Sequence, residues 1–169
     1  MLKQTLIFAT IILLTSCGQS KQPTNKHSTK EALIEENVAK ETPKEENKVD
    51  NALIFINGYT ENANKLNESL TMIEWVELHK GLTTQSFRLA LKKIIDDAYQ
   101  EDPELGLGFD PVFDAQDYPD KGFEVDSFDE QTNHLTVRGK DWPDFKVTMR
   151  VVKENEQWLV DGCGVVNMP

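Results

Sequence analysis

The chain of 169 residues is long enough for one ordinary domain plus an appendage, and it carries 29 acidic against 18 basic side chains, a net charge of −11. A surface of that sign repels nucleic acid and anionic membrane alike, so neither is expected as an electrostatic partner. With two cysteines in the whole chain, a disulfide-stapled scaffold is also excluded.

The first seventeen residues form the appendage. A basic start at Lys3, an apolar run from Leu6 to Leu14, and small residues before Cys17 make a secretory signal, too short for a membrane-spanning helix of about 20 residues. Leu14-Thr15-Ser16-Cys17 resembles a bacterial lipobox, where a precursor is lipidated on the cysteine thiol and cleaved just before it. Residues 1–16 are then a signal peptide, and their removal takes away Lys3 and no acid. Acyl chains on Cys17, not charge, would hold the protein at a bilayer. No acid follows directly in Gly18-Gln-Ser-Lys-Gln22, which favours the periplasmic side of an outer membrane over surface display. Cys163 is left as the one thiol in an oxidising compartment, and its setting among Val160, Gly162, Gly164 and Val165 suits a small buried hydrophobe better than a nucleophile.

Residues 17–49 read as the lipidated cysteine and a disordered tether. Residues 18–50 hold no aromatic side chain and mix Lys, Glu, Asn, Thr and Ser, too little apolar surface to offset the entropy of ordering. As a flexible coil the tether spans about 30 Å.

The domain runs over residues 50–169. Asp50 is the expected N-cap of a helix whose face is Ala52, Phe55, Ile56 and Tyr59; Gly58 weakens it and Asn62-Ala-Asn64 ends it. Met72, Ile73, Trp75, Val76 and Leu78 make a second, shorter helix that stops at Lys80-Gly81. Between Thr83 and Tyr99, the apolar positions Phe87, Ala90, Leu91, Ile94, Ile95 and Ala98 form one stripe, with Thr83 or Thr84 as cap and Pro103 beyond the end. An amphipathic helix laid on a flat apolar surface is expected there.

Gly108 to Asp120 sets Asp110, Asp114, Asp117 and Asp120 among Phe109, Val112, Phe113 and Tyr118, with Pro111 and Pro119 restricting the backbone. A rigid connection from helices to strands is expected. After it the period becomes two: Phe123 and Val125, then Leu135 and Val137, then Phe145, Val147, Met149 and Val151. Glu154-Asn155-Glu156 turns into a last strand, Gln157 to Val166. Four strands in an antiparallel meander, one face covered by helices, give an α+β domain.

Three stretches, Phe87 to Ile95, Asp110-Pro-Val-Phe-Asp-Ala-Gln-Asp117 and Gln157-Trp-Leu-Val-Asp161, resemble an uncharacterised family of bacterial lipoproteins of the nuclear transport factor 2-like and cystatin-like superfamily. The resemblance covers about residues 50–166. It implies helices packed on a curved antiparallel sheet as a cone, with a pocket between helices and sheet that different members use for catalysis, ligand binding or protein binding. Fold alone does not choose among these.

The aspartates are the one dense cluster of chemistry. Their spacing is not that of an EF-hand loop, which has a central glycine and a terminal glutamate. Capping of local backbone is the first reading, for Asp110 before Pro111 and Asp117 near Pro119, with Asp117 expected to hold the turn from helix into sheet; contact with a ligand or partner is the second, and catalysis or a metal the third. On the second reading the contact set is Asp110, Asp114, Gln116, Asp117, Tyr118, Trp158 and Asp161. The histidines fall in no metal-ligand spacing, no phosphate loop or nucleophile elbow is present, and no cofactor is called for. The expectation is a non-catalytic envelope binding module for a small ligand, peptide or protein. The alternatives are a periplasmic immunity or inhibitor protein and, last, a hydrolase or isomerase, which would need a carboxylate with raised pKa inside the pocket, Asp117 or Asp161 being the first to inspect.

The lipobox generates a direct test. Mass spectrometry of the membrane-extracted protein is expected to find an acylated N-terminal peptide beginning at Cys17, and Cys17→Ser is expected to abolish both processing and membrane partition. An unmodified Cys17, or a Cys17→Ser protein processed as wild type, would remove the anchor.

Overall fold

The computed structural model describes residues 48–169. The signal peptide, Cys17 and all but the end of the tether lie outside the described residues. Helices α1 (Asp50–Ala63), α2 (Met72–Leu78) and α3 (Gln85–Glu101) precede strands β1 (Phe123–Asp129), β2 (His134–Gly139), β3 (Lys146–Glu154) and β4 (Gln157–Cys163). The strands form one antiparallel sheet in the order β1-β2-β3-β4. The domain is therefore α+β, three helices and a four-stranded meander. Among the described residues no helix is long and apolar enough to cross a membrane.

The helices stand where the sequence pattern puts them, and only the α1 cap differs from the expected one. Helix α1 starts at Asp50 with Val49 at the cap position, so Asp50 is a first-turn residue, where its charge meets the positive helix end, and not the N-cap. Helix α2 has a capping box: the Glu74 N–H donates to Thr71 Oγ1 and the Thr71 N–H donates to the Glu74 carboxylate. For α3 the cap is Thr84, whose Oγ1 accepts from the Phe87 N–H at 3.1 Å. Gly58, a weak point by propensity, lies under the Trp75 ring, where a Cβ would stand 3.1 Å from the indole. It lets α1 and α2 approach closely.

Two bulges complicate the strand alternation. Val125 pairs with Val137 and Ser127 with Thr136, so Asp126 is the extra residue, which keeps Phe123, Val125 and Phe128 on one face of the sheet. Val125 is nevertheless exposed, because β1 is an outer strand with little beyond it. On β4 the extra residue is Asp161, between Val160 opposite Val151 and Gly162 opposite Arg150. This strand ends at Cys163 rather than Val166, which folds back to exchange backbone hydrogen bonds with Cys163. Asn155 and Glu156, both at positive φ, turn β3 into β4.

Phe55, Ile56, Phe87, Leu91, Phe113, Phe123, Leu135, Val137, Met149 and Val160 are all buried between helices and sheet. The ring of Tyr59 meets Trp75 and Phe113 edge-on at 5.4 and 5.3 Å, joining α2, α1 and the aspartate-rich connection.

Polar groups of α1 fix how it lies on the sheet. Asn51 Nδ2 donates to the Trp158 carbonyl of β4 at 2.8 Å. At the opposite outer strand, Asn57 Oδ1 accepts from the Phe123 N–H at 2.7 Å and its Nδ2 donates to the Phe123 carbonyl at 3.2 Å. The Asn57 amide thus acts as a short extra strand on β1. Asn57→Ala is expected to cost about 2 kcal/mol in urea denaturation, since it strands a half-buried backbone donor and acceptor. Asn64→Ala, which removes one exposed bond to the Asp120 carbonyl, is expected to cost less than half of that.

Candidate functional site

A groove of about 510 Å³ opens between the C-terminal part of α1, the segment 69–73, the C-terminal half of α3 and the loop that leaves it. Its apolar wall is Ala63, Leu70, Met72, Ile73, Ile95 and Leu107. Its polar groups come from Tyr59, Asn62, Ser69, Thr71, Tyr99 and Asp110.

The α3 stripe explains much of the apolar wall. Only Phe87 and Leu91 are fully buried, near the start of the helix; Ile94, Ile95 and Ala98 are half-buried and Tyr99 is exposed. The helix does not lie on a flat apolar surface along its whole length. Its last two turns are only partly covered, Ile94 and Ile95 still packing against the core, and leave Ile95 and Tyr99 as lining. Gly106 sets the position of Tyr99: at φ +58° it lies against the phenol ring, and a Cβ there would stand 2.5 Å from it. Asn62 braces the opposite side, its amide exchanging two hydrogen bonds with the Leu70 backbone at 2.9 and 3.0 Å.

Asp110 is the one charged residue of the lining. Its Oδ1 accepts the N–H groups of Val112 and Phe113 at 2.8 and 3.2 Å, and its Oδ2 accepts the Tyr59 hydroxyl at 2.8 Å. Backbone bonds between Asp110 and Ala115 in both directions close the loop, with Pro111, Val112 and Phe113 buried and Asp114 at φ 55°. The connection is rigid, as expected. Of the two aspartates expected to cap, Asp110 does and Asp117 does not, because Pro111 starts a turn that aims the next two amides back at Asp110.

Burial raises the Asp110 carboxyl above its usual range, outweighing the hydrogen bonds from Tyr59, Val112 and Phe113 that pull the other way. The Tyr59 phenol is raised well above its ordinary value, by burial first and by the Asp110 charge second. Tyr118, stacked on Phe113 at 4.5 Å, is raised by burial, Asp110 and Asp120. Among the described residues no basic side chain pairs with Asp110. By contrast, Asp126 takes Lys146 at 2.7 Å, and Asp161 takes Arg150 at 2.7 Å.

The seven expected contact residues do not gather in one place. Asp110 lines the groove, and Tyr118 packs behind it on Phe113. Asp114 and Asp117 are exposed, with no hydrogen bond or ion pair among the described residues, and Gln116 is an exposed donor to the Gly108 carbonyl at 2.9 Å. Asp161 binds Arg150 and the Thr84 hydroxyl, which ties the start of α3 to β4. Trp158 pairs within the sheet at the Lys153 end of β3, where Lys48 lies 5.5 Å from its ring centre. Neither Asp117 nor Asp161 lines the groove, and none of the lining residues belongs to a strand, unlike the pocket between helices and sheet that the resemblance implies. Sequence reasoning missed Tyr59, Asn62 and Tyr99 as lining; the Asn-rich end of α1 was their one visible signal. Cys163 is fully buried and donates to the Val112 carbonyl, and burial raises its thiol well above the ordinary value, which leaves it protonated and inert. Among the described residues no group of three His, Cys, Asp or Glu side chains could hold a metal ion.

No protein-family model matches the chain, and neither a curated protein nor a solved structure matches it.

A raised carboxyl gives a signed pH dependence. Between the unfolded pKa of about 3.9 and the higher folded value, the folded state binds more protons than the unfolded one, so Asp110 withdraws stability as pH rises through that window. Asp110→Asn is therefore expected to gain stability relative to wild type as the pH rises from about 3.9 through the folded value in denaturation series. A relative loss over the same range would mean that the hydrogen bonds outweigh burial.

Proposed function

We propose that this chain is a non-catalytic, lipid-anchored envelope protein whose folded domain is a binding module, with the groove as its site. The observation that carries the reading is the lining itself. Apolar side chains from α1, the 69–73 segment, α3 and the following loop converge around a few fixed polar groups, and such concave, mostly apolar sites suit small ligands. Asn62, Gly106 and the Tyr59–Asp110 bond hold those walls in place without a ligand.

The anchor at Cys17, the tether and an outer-membrane address facing the periplasm belong to the same proposal, which rests for them on the sequence. So does membership of the nuclear transport factor 2-like and cystatin-like superfamily, with its curved-sheet cone; the order of three helices and then an antiparallel meander supports it. A second reading, a hydrolase or isomerase, is favoured by one observation: a carboxyl with raised proton affinity lines the groove, as a general acid would. No second carboxylate lines the groove to act with it.

Native mass spectrometry of the membrane-extracted protein decides between them. A non-covalent small-molecule adduct is expected on wild type and is expected to be lost in Ala63→Trp, which fills the groove from its rim. Hydrolysis of ester or glycoside substrates that disappears in Asp110→Asn would instead establish the enzyme.

A further inference from the structure

We propose that the groove takes a primary-amine amphiphile, a protonated amino group carried on an apolar chain, with the amine seated at Asp110. The inference deepens the reading of the groove as a binding site and rests on it.

Charge complementarity selects the head group. Of the twelve lining residues only Asp110 is charged. An anionic head would meet that carboxylate with no cation to offset it. The carboxylate also has a place to spare: of about four acceptor positions, two N–H groups occupy Oδ1 and one hydroxyl occupies Oδ2, which leaves one at Oδ2. Two half-buried acids elsewhere in the domain already have cations, Arg150 on Asp161 and Lys146 on Asp126, and a third, Asp102, is capped by backbone amides outside the groove. Asp110 has only neutral donors, so its ionised form lacks the counter-charge that an ammonium group would supply. Tyr59 gives its proton to Oδ2 and aims no hydrogen at the incoming head. The apolar wall of Leu70, Met72, Ile73, Ile95 and Leu107 accommodates the chain, and the net charge of −11 draws cations to the protein.

Calorimetric titration of the purified protein with octylammonium, octanol and octanoate, below their aggregation concentrations, tests this. Octylammonium is expected to bind at least about tenfold more tightly than octanol, octanoate is expected not to bind, and Asp110→Asn is expected to reduce octylammonium to the octanol level while Asp117→Asn changes nothing. Should Asp110→Asn fail to fold, the wild type still answers: octylammonium binding is expected to weaken as the pH is lowered through the Asp110 titration, and octanol binding to stay constant. Equal affinity for octanol and octylammonium, or preference for octanoate, overturns the amine while leaving a groove that binds. Binding of none of the three overturns the amine as well, and the Ala63→Trp adduct experiment then decides the binding reading by itself.

Discussion

Helix α1 reaches both outer strands of the sheet through hydrogen bonds, and the rest of the domain depends on that bracing. Asn51 holds the Trp158 carbonyl of β4, and Asn57 holds both backbone groups of Phe123 on β1. Because β1 and β4 stand at opposite sides of the sheet, these contacts set the direction in which α1 crosses it. Phe55 and Ile56 are then buried between helices and sheet, while Tyr59 and Asn62, further along the same helix, reach Asp110 and Leu70. One helix thus aligns the core and shapes the groove.

The groove exists because the end of α3 is only partly covered by what packs on it. The apolar stripe of α3 continues for two turns beyond Leu91, the last residue that the core encloses, and Leu70 and Leu107 face it from segments with no regular structure. Exposed apolar lining of this kind gives up the stabilisation of burial, roughly 25 cal/mol per Å². Side chains held rigidly at such a cost are what a binding site requires.

The carboxylates divide by how their charge is met. Asp126 and Asp161 are the extra residues of β-bulges, which turn a side chain out of the strand's alternation, and each there meets a basic partner. Asp110 instead has two amides and a phenol, which stabilise its charge less than burial penalises it. That imbalance separates Asp110, which lines the groove, from the two carboxylates that join elements through ion pairs. Ordinary Asx geometry and a poised group coincide in the same residue, so structural and functional readings of the aspartate block are not exclusive.

Much of the secondary structure was legible in sequence because it depends on local order. Period 3.6 marked α1 and α3, an apolar cluster marked α2, period two marked the first three strands and a turn the fourth, Thr83-Thr84 marked a cap, and the density of proline and aspartate marked a rigid connection. The α+β class followed from their succession. Which aspartate caps the connection was not legible, since Asp110 directly precedes one turn-forming proline and Asp117 lies two residues before another, and only the buried Val112 and Phe113 decide between them. The bulges at Asp126 and Asp161 were invisible for a similar reason: a one-residue excess is defined by the partner strand, not by the strand itself. The groove lay furthest from view. Its walls come from positions up to 51 residues apart, Tyr59 and Asp110 among them, and whether an apolar stripe ends in a core or in an open wall is settled by what tertiary packing brings opposite it.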